Sequence, residues 1–275
     1  MKKLLLSGIT AVALMAAGTA QAGGLDLYGG TGIARTPLAM SLAPMQFQFA
    51  ADYVFSDDTF VPMRAAIGLP YGIEIGGAYW YTDLDFEGFG ESADVDVPMY
   101  DLTAKWVLPK FVENLGIAVG GHYLAQEVEV EGDNDKFKND GHDLYGVATY
   151  VVPMGEGMAL IPSVGVSWES RTGDNDEDAF KFFGSLLFKG AKFAVGGEYM
   201  MADDDVDGPI FGDDEGKNVD DFWWFGGRFF VNPMITLQAG YINNANLLDL
   251  SAEDGSKISD GVFHAGVQFA FGGAQ

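Results

Sequence analysis

The chain has 275 residues, with 40 Asp or Glu against 15 Lys or Arg and a formal charge of −25, which excludes a nucleic-acid-binding surface of the usual basic kind. A mean hydropathy of +0.08 excludes a helical membrane bundle, because no run of about 18 apolar residues follows the first 22. Hydrophobic residues at 48%, aromatic residues at 13% and no Cys exclude a disordered acidic chain and a disulfide scaffold. An acidic, glycine-rich β protein remains.

Residues 1–22 have the composition of a secretory signal peptide. Lys2 and Lys3 give a positive start, 4–17 form a mostly apolar core, and Ala20-Gln21-Ala22 is a small-x-small cleavage site. The apolar core is short for a membrane span, and no Cys follows that could receive a lipid. We therefore expect the mature chain to leave a bacterial cytoplasm.

Residues 23–44 are rich in Gly and Pro and lack a strand-like pattern. The pair Gly30-x-Gly32 is no dinucleotide fingerprint, since the third Gly and the following helix are missing, and no cofactor is expected. The segment resembles the opening of exopolysaccharide-associated outer-membrane barrel proteins. The resemblance is carried by Gly29, Gly30, Gly32, Thr36, Pro37 and Ala39. The segment could be an extra strand, a periplasmic tail or a plug folded into a barrel.

From residue 45 to residue 271 the chain repeats one pattern. Met45–Val54 alternates Phe47, Phe49, Ala51 and Tyr53 with Gln46, Gln48, Ala50 and Asp52, as in a strand with two unlike faces. Similar alternation predicts eleven more strands, over 61–69, 73–82, 98–108, 116–128, 142–152, 159–170, 179–188, 192–202, 220–231, 235–244 and 261–271. Strand 142–152 is apolar on both faces, so its register stays open.

The connections between these strands alternate between short turns and mostly longer acidic loops. Short turns such as 70–72 and 189–191 alternate with loops such as 83–97, 129–141 and 203–219. In an up-and-down antiparallel barrel, odd and even connections emerge at opposite ends. The sequence therefore predicts an all-β, transmembrane, up-and-down antiparallel β-barrel, with twelve strands in 45–271 and a tail at 272–275.

Aromatic residues cluster near both ends of the predicted strands, with aliphatic residues and Gly between them. Two such belts are typical of the two membrane–water interfaces. The predicted girdle comprises Tyr53, Tyr81, Tyr100, Trp106, Tyr123, Trp168, Tyr199, Trp223 and Tyr241, and Tyr145 is expected in the belt beside the acidic loops.

The opposite strand faces are polar, as a hydrated lumen requires. A soluble barrel would reverse the two faces, and alternation alone does not distinguish these cases. The predicted pore-lining residues are Glu74, Asp101, Lys105, His122, Ser167, Glu169, Lys181, Glu198, Arg228 and Gln238. Lys105, Lys181 and Arg228 are expected to face the carboxylates across the lumen and to set a transverse field.

The last strand carries the pattern His264-x-Gly266-x-x-Phe269-x-Phe271. It resembles the assembly signal that the barrel-insertion machinery of Gram-negative bacteria reads. The resemblance implies a porin-like barrel in the outer membrane, in contact with lipid and lipopolysaccharide. Four residues follow the aromatic residue that is usually terminal, which is a departure from the signal's common form.

Two groups of residues could carry chemistry. His122, Ser167 and Glu198 share one position of a hairpin repeat and invite comparison with a catalytic triad. Their strands would be about 9.6 Å apart, whereas a nucleophile and its base need roughly 3 Å. His142 with Asp143 could imitate an outer-membrane protease site. We expect no enzyme, although an outer-membrane hydrolase stays an alternative.

The acidic loops 174–178, 203–205 and 213–215 offer oxygen ligands for divalent cations, which could bridge them to lipopolysaccharide. None continues as an EF-hand, and no protein-held metal site is expected. The predicted function is a passive pore for small hydrophilic solutes with a mild cation preference. The alternatives are a closed or plugged barrel associated with surface polysaccharide and a soluble secreted β protein.

Overall fold

The computed structural model describes residues 24–26, 29–55, 59–88, 91–96, 98–109, 112–130, 136–172, 177–201, 222–243 and 261–272. Sixteen strands and one short 3₁₀ turn, Pro70–Gly72, lie in these ranges. Within them, no helix is long and apolar enough to cross a membrane.

The strands are numbered in chain order. They are β1 (Gly24–Leu25), β2 (Thr31–Gly32), β3 (Gln46–Phe55), β4 (Thr59–Gly68), β5 (Ile73–Gly88), β6 (Glu91–Asp96), β7 (Met99–Val107), β8 (Leu115–Val130), β9 (Lys136–Tyr150), β10 (Val152–Gly155), β11 (Met158–Thr172), β12 (Glu177–Lys189), β13 (Phe193–Met200), β14 (Phe222–Asn232), β15 (Ile235–Ile242) and β16 (Val262–Gly272).

Twelve of these strands form a closed antiparallel barrel, which confirms the predicted fold. Each barrel strand pairs with the next one along the chain, in the order β3, β4, β5, β7, β8, β9, β11, β12, β13, β14, β15 and β16. The last strand pairs with the first, with His264 opposite Val54. Closure leaves no barrel edge with unpaired backbone groups, as hydrocarbon surroundings require.

Two of the predicted acidic loops are partly strand. Beyond the barrel wall, β5 continues to Gly88 and pairs with β6, while β8 and β9 continue as a ribbon. In the ribbon of β8 and β9, the register places Glu129 opposite Lys136. The expectation of irregular loops over 83–97 and 129–141 is therefore wrong in part.

Exposure alternates along the barrel strands, with apolar side chains pointing outward. Of the predicted girdle, Tyr53, Tyr100, Trp106, Tyr123, Tyr199 and Trp223 are exposed on the outer face, and Trp168 and Tyr241 are partly exposed there. The side chain of Tyr81 lies outside the described part of the structure. The apolar face is the outer one, which is the arrangement of a barrel in lipid rather than in water.

Tyr145 points into the barrel, so its expected place in the outer girdle is wrong. It is buried together with Val147 and Thr149, its neighbours on the same face of β9. The facing position on β8 is Gly120, where a Cβ would lie 2.5 Å from the Tyr145 hydroxyl. The space left by Gly120 is therefore the space that the ring occupies. Trp80, Phe183 and Trp224 also point inward, although the sequence pattern did not single them out.

The described residues of the N-terminal segment lie inside the barrel. Strand β1 pairs with β2, and residues 31–38 form a hairpin in which Leu38 N donates to Thr31 O and Ile33 N to Thr36 O. Leu25 and Leu38 have no exposed surface. A Cβ at Gly76 on the wall would lie 2.4 Å from the Gly29 carbonyl oxygen, so a glycine is required for this approach.

The segment extends from one end of the barrel toward the other. At its C-terminal end, Met45 N donates to Gly68 O beside the short turn after β4. At the hairpin tip, the Arg35 guanidinium lies 5.1 Å from the centre of the ring of Phe222, which begins β14 after a long connection. The segment therefore reaches from the short-turn end toward the long-loop end, with the hairpin tip directed at the long-loop end.

Candidate functional site: the occupied lumen

The predicted pore-lining residues all lie on the inward face of the barrel. Glu74, Asp101, Lys105, Ser167, Glu198, Arg228 and Gln238 are buried, while His122, Glu169 and Lys181 are partly exposed. Their burial has a cause that the strand pattern did not reveal, since several of them contact the N-terminal segment. The candidate site is this polar wall together with the segment it holds.

Glu74 on β5 and Lys105 on β7 bind the segment as a pair. Their side chains face each other in the strand register, with Lys105 Nζ 3.1 Å from Glu74 Oε1. Thr31 N donates to Glu74 Oε1 at 2.6 Å, the Thr31 hydroxyl donates to Glu74 Oε2, and Leu42 N donates to Oε2 at 2.9 Å. Lys105 Nζ donates to Thr31 O at 2.9 Å. One ion pair thus binds both the start of the hairpin and the chain that follows it, at Leu42, through charge-assisted hydrogen bonds.

Glu198 on β13 binds the hairpin tip. Its carboxylate accepts hydrogen bonds from three successive backbone N–H groups, from Ala34 at 3.1 Å, Arg35 at 2.6 Å and Thr36 at 3.1 Å. Successive N–H groups that converge on one point form an anion-binding concavity. Arg228 on β14 complements this contact, because its guanidinium donates to the carbonyls of Gly32 and Ile33.

A second charged pair of the wall was not identified from the sequence. Arg64 on β4 forms an ion pair with Asp52 on β3, and it donates to Leu25 O of the segment at 3.2 Å. Gln238 on β15 donates to both carboxylate oxygens of Asp52, at 2.7 and 2.9 Å. Two features of the sequence could have indicated this pair. Asp52 lies on the polar face of β3, and Arg64 is a lone Arg in the otherwise apolar strand β4.

Two further clusters lie on the other side of the lumen. His122 on β8 has Asp101 Oδ2 2.9 Å from Nδ1 and Asp143 Oδ2 3.3 Å from Nε2. Lys181 on β12 forms an ion pair with Glu169 on β11. These pairs, like Glu74 with Lys105, join neighbouring strands. The expected transverse field is therefore wrong, because cations and carboxylates neutralise each other locally instead of facing across the lumen.

The suggested triad is not assembled. Both ring nitrogens of His122 contact carboxylates, so neither is directed to Ser167, and the Glu198 carboxylate binds the N-terminal hairpin. His142 and Asp143 point to opposite faces of β9, as the ring of His142 packs edge-on against Trp168 on the outer face. The protease-like pairing of these two residues is therefore wrong. The absence of enzymatic activity stays a prediction.

Burial raises the pKa of Asp26 to about 7. Lys105 and the hydrogen bond from Gly30 N, at 2.9 Å, lower it, while the nearby carboxylates of Glu74 and Asp101 raise it. Asp26 lies between β1 and β2, inside the lumen. It therefore changes charge near neutral pH within the contact between segment and wall.

The remaining sequence predictions have different outcomes. In the assembly pattern, His264 points inward and Phe271 points outward. The role of this pattern in barrel assembly stays a prediction. The acidic stretches 203–205 and 213–215 lie outside the described residues, as do 174–176. The described parts of the chain contain no group of His, Asp and Glu side chains that could hold a metal ion.

A closed twelve-stranded antiparallel barrel with an apolar outer face and a polar inner face is a transmembrane β-barrel of the outer-membrane type. No family model and no curated protein matches the chain. A KdgM porin superposes with a TM-score of 0.50 at 10% identity, covering 82% of this chain and 99% of that one. The prediction of a porin-like, outer-membrane barrel is confirmed at the level of the fold.

Two further solved structures are similar. A KdgM porin in complex with disordered oligogalacturonate gives a TM-score of 0.48 at 10% identity, covering 82% of this chain and 99% of that one. The outer membrane protein Omp33 of Acinetobacter baumannii gives 0.43 at 12% identity, covering 83% of this chain and 98% of that one.

Proposed function

We propose that the chain is a porin-type channel for small hydrophilic solutes, closed in this conformation by residues 24–44, which we term the plug. The observation that carries this proposal is how the wall holds the plug. Charged wall side chains bind its backbone, and among the described residues no barrel strand pairs with it. The plug can therefore leave the lumen without breaking a hydrogen bond between barrel strands.

We also propose a mild cation preference for the open channel. Among the described side chains, the inward wall carries six carboxylates and five Lys or Arg. These are Asp52, Glu74, Asp101, Asp143, Glu169 and Glu198 against Arg64, Lys105, Lys181, Lys189 and Arg228. Such a wall is nearly balanced, so the preference would come mainly from the acidic connections at the channel mouth.

Conductance in planar bilayers tests the channel. The full chain should conduct rarely, whereas Glu198→Gln, which weakens the grip on the hairpin tip, and deletion of 24–44 should give frequent discrete steps. Glu156→Gln, the same change at an exposed turn, should behave like the unaltered protein. In a salt gradient, the reversal potential of the open steps should show a modest excess of cation flux.

A second candidate function is a permanently closed structural barrel associated with surface polysaccharide. It is favoured by the complete burial of Leu25 and Leu38 and by the many polar contacts of the plug. The same experiment separates the two functions. If both variants migrate as folded, heat-modifiable barrels and still show no conductance steps, the channel proposal is wrong and the structural barrel is supported.

A further inference from the structure

A cleft lies between the plug and one side of the wall, and several of its charged side chains are partly exposed to solvent. The side chains of His122, Asp143, Glu169 and Lys181 are 12 to 18% exposed there, whereas those of Glu74 and Lys105 are 1% exposed. Besides these charged groups, the cleft is lined on the wall by Ser167 and the apolar surfaces of Tyr145, Phe183 and Met200, and on the plug by Arg35 and Pro37. These groups are therefore more accessible to a small solute than the Glu74–Lys105 pair.

The charges in this cleft are already paired. Asp143 contacts His122, which also contacts Asp101, and Glu169 pairs with Lys181. A bare cation or a carboxylate would have to break one of these pairs. A neutral solute with several hydrogen-bonding groups would instead add to them, since paired carboxylates keep acceptor capacity for hydroxyl donors.

Two polar atoms of the lining residues lack a hydrogen bond. Ser167 Oγ and Asp143 Oδ1 are buried and have no partner within the described part of the protein. An unsatisfied buried polar atom costs about 1 to 3 kcal/mol, so such atoms call for a partner. Tyr145, Phe183 and Met200 supply apolar surface on the same cleft. Acceptors and hydroxyls beside an aromatic surface suit the hydroxyl groups and the C–H face of a sugar ring.

We infer that this cleft is part of a binding site for a small neutral polyhydroxylated solute, and that the plug tip occupies the rest of the site. The inference rests on the proposed channel function and specifies its substrate class. The free space in the closed conformation is about 20 Å³, room for roughly one water molecule. A sugar ring fits only when Arg35 and Pro37 withdraw.

Solute binding and plug seating therefore compete for the same space. By linkage, a solute that binds only the open form shifts the population toward that form. A change that loosens the plug raises the population of the open, binding-competent state. The apparent affinity for the solute then rises by the same factor as that population. The solute thus favours opening of the channel that conducts it.

Calorimetric titration of the full chain with D-glucose tests the inference. Glu198→Gln should bind D-glucose more tightly than the unaltered protein. In the Glu198→Gln background, Ser167→Ala should weaken binding about 5- to 10-fold, the loss expected for one hydrogen bond. Ser185→Ala, the same change on the inward face of β12 outside the cleft, should leave the affinity unchanged. D-Gluconate and D-glucosamine, which carry a charge, should bind more weakly than D-glucose.

Several results would overturn the inference. Absence of D-glucose binding by folded Glu198→Gln protein would do so, as would equal affinity for D-gluconate or an equal loss in Ser167→Ala and Ser185→Ala. The outcome is separable from that of the channel proposal. Conductance without D-glucose binding leaves the channel and removes the site, whereas D-glucose binding without conductance leaves the site and removes the channel.

Discussion

Trp224 on β14 donates its indole N–H to Nε2 of His264 on β16, at 2.8 Å, across the strand that lies between them. The contact is possible because the intervening inward position on β15 is Gly240. A Cβ there would lie 2.3 Å from Trp224 Nε1 and 2.6 Å from His264 Nε2. The absence of a side chain at Gly240 lets two rings meet above a neighbouring strand.

Gly240→Ala should therefore destabilise the barrel. The added methyl must displace one of the rings, and overpacking of this kind costs about 1 to 3 kcal/mol. Gly146→Ala is the matched control, because no atom lies within 4 Å of a Cβ built at Gly146. Urea unfolding followed by tryptophan fluorescence measures both. Equal midpoints for the two variants would show that the ring contact does not constrain Gly240.

Lys105→Met should destabilise the folded barrel because it leaves the Glu74 carboxylate buried without its cation. Removal of one partner of a buried ion pair costs about 3 to 5 kcal/mol. The double variant Lys105→Met with Glu74→Gln should recover part of this loss, and Lys189→Met, at a partly buried inward position, should cost much less. Urea unfolding of the unaltered protein, Lys105→Met, Glu74→Gln, the double variant and Lys189→Met measures the coupling. Strict additivity of the two single changes would contradict the pairing.

Plug seating should become weaker as the pH rises from about 4 to about 7. Burial raises the pKa of seated Asp26 to about 7 from its ordinary value of 3.8, so within this window the seated form holds a proton that the released form has lost. Seating of the plug is then weakened by at most about 1.4 kcal/mol for each unit that the pH rises. Above pH 7 both forms are ionised, and no further change from Asp26 is expected.

Open probability in planar bilayers measures this pH dependence. Channels held at pH 7.5 should open more often than channels held at pH 5, and Asp26→Asn should reduce the difference. Glu74, Lys105 and Asp101 surround Asp26 and are unchanged in that variant. Any pH response that remains in Asp26→Asn therefore comes from groups other than Asp26. An undiminished pH response in Asp26→Asn would assign the titration to another group.

Val164→Arg should destabilise the barrel in a lipid bilayer. Val164 is outward and 65% exposed, and it lies opposite Gly184, midway along β12 between the aromatic residues Phe180 and Phe188. An Arg on the lipid face near the bilayer midplane costs about 2 to 4 kcal/mol, falling to about 0 to 1 near the interface. Met158 is exposed at the first position of β11, at the rim of the barrel. Met158→Arg should therefore cost much less in the same unfolding measurement. Equal costs would place the two positions at the same depth.

The fold could be predicted because its signal is local. Period-2 alternation and the two classes of connection specify the twelve strands, and each predicted strand overlaps an observed one. The errors have physical causes. Tyr145 was placed outside because both faces of its strand are apolar, and the decisive neighbour, Gly120, lies on another strand. Register between strands is not encoded in the alternation of either strand alone.

The candidate site was predictable in its wall but not in its organisation. Glu74, Lys105, Glu198 and Arg228 were identified as inward residues because they lie on the polar faces of the alternating strands. Their common partner could not be inferred from the strands, since a carboxylate that binds backbone N–H groups imposes no side-chain pattern on residues 34–36. This partner is the N-terminal segment, which lacks the alternating pattern by which the barrel strands were identified.

Glu198 accepts hydrogen bonds from the main-chain N–H groups of Ala34, Arg35 and Thr36 at the hairpin tip. Proline at any of these positions would remove one of the three hydrogen bonds, since proline has no N–H to donate. The side chains matter as well, because those of Ala34 and Thr36 are buried and the Arg35 guanidinium lies over the Phe222 ring. A bulky group attached to the tip would therefore unseat the plug and could serve to hold the channel open.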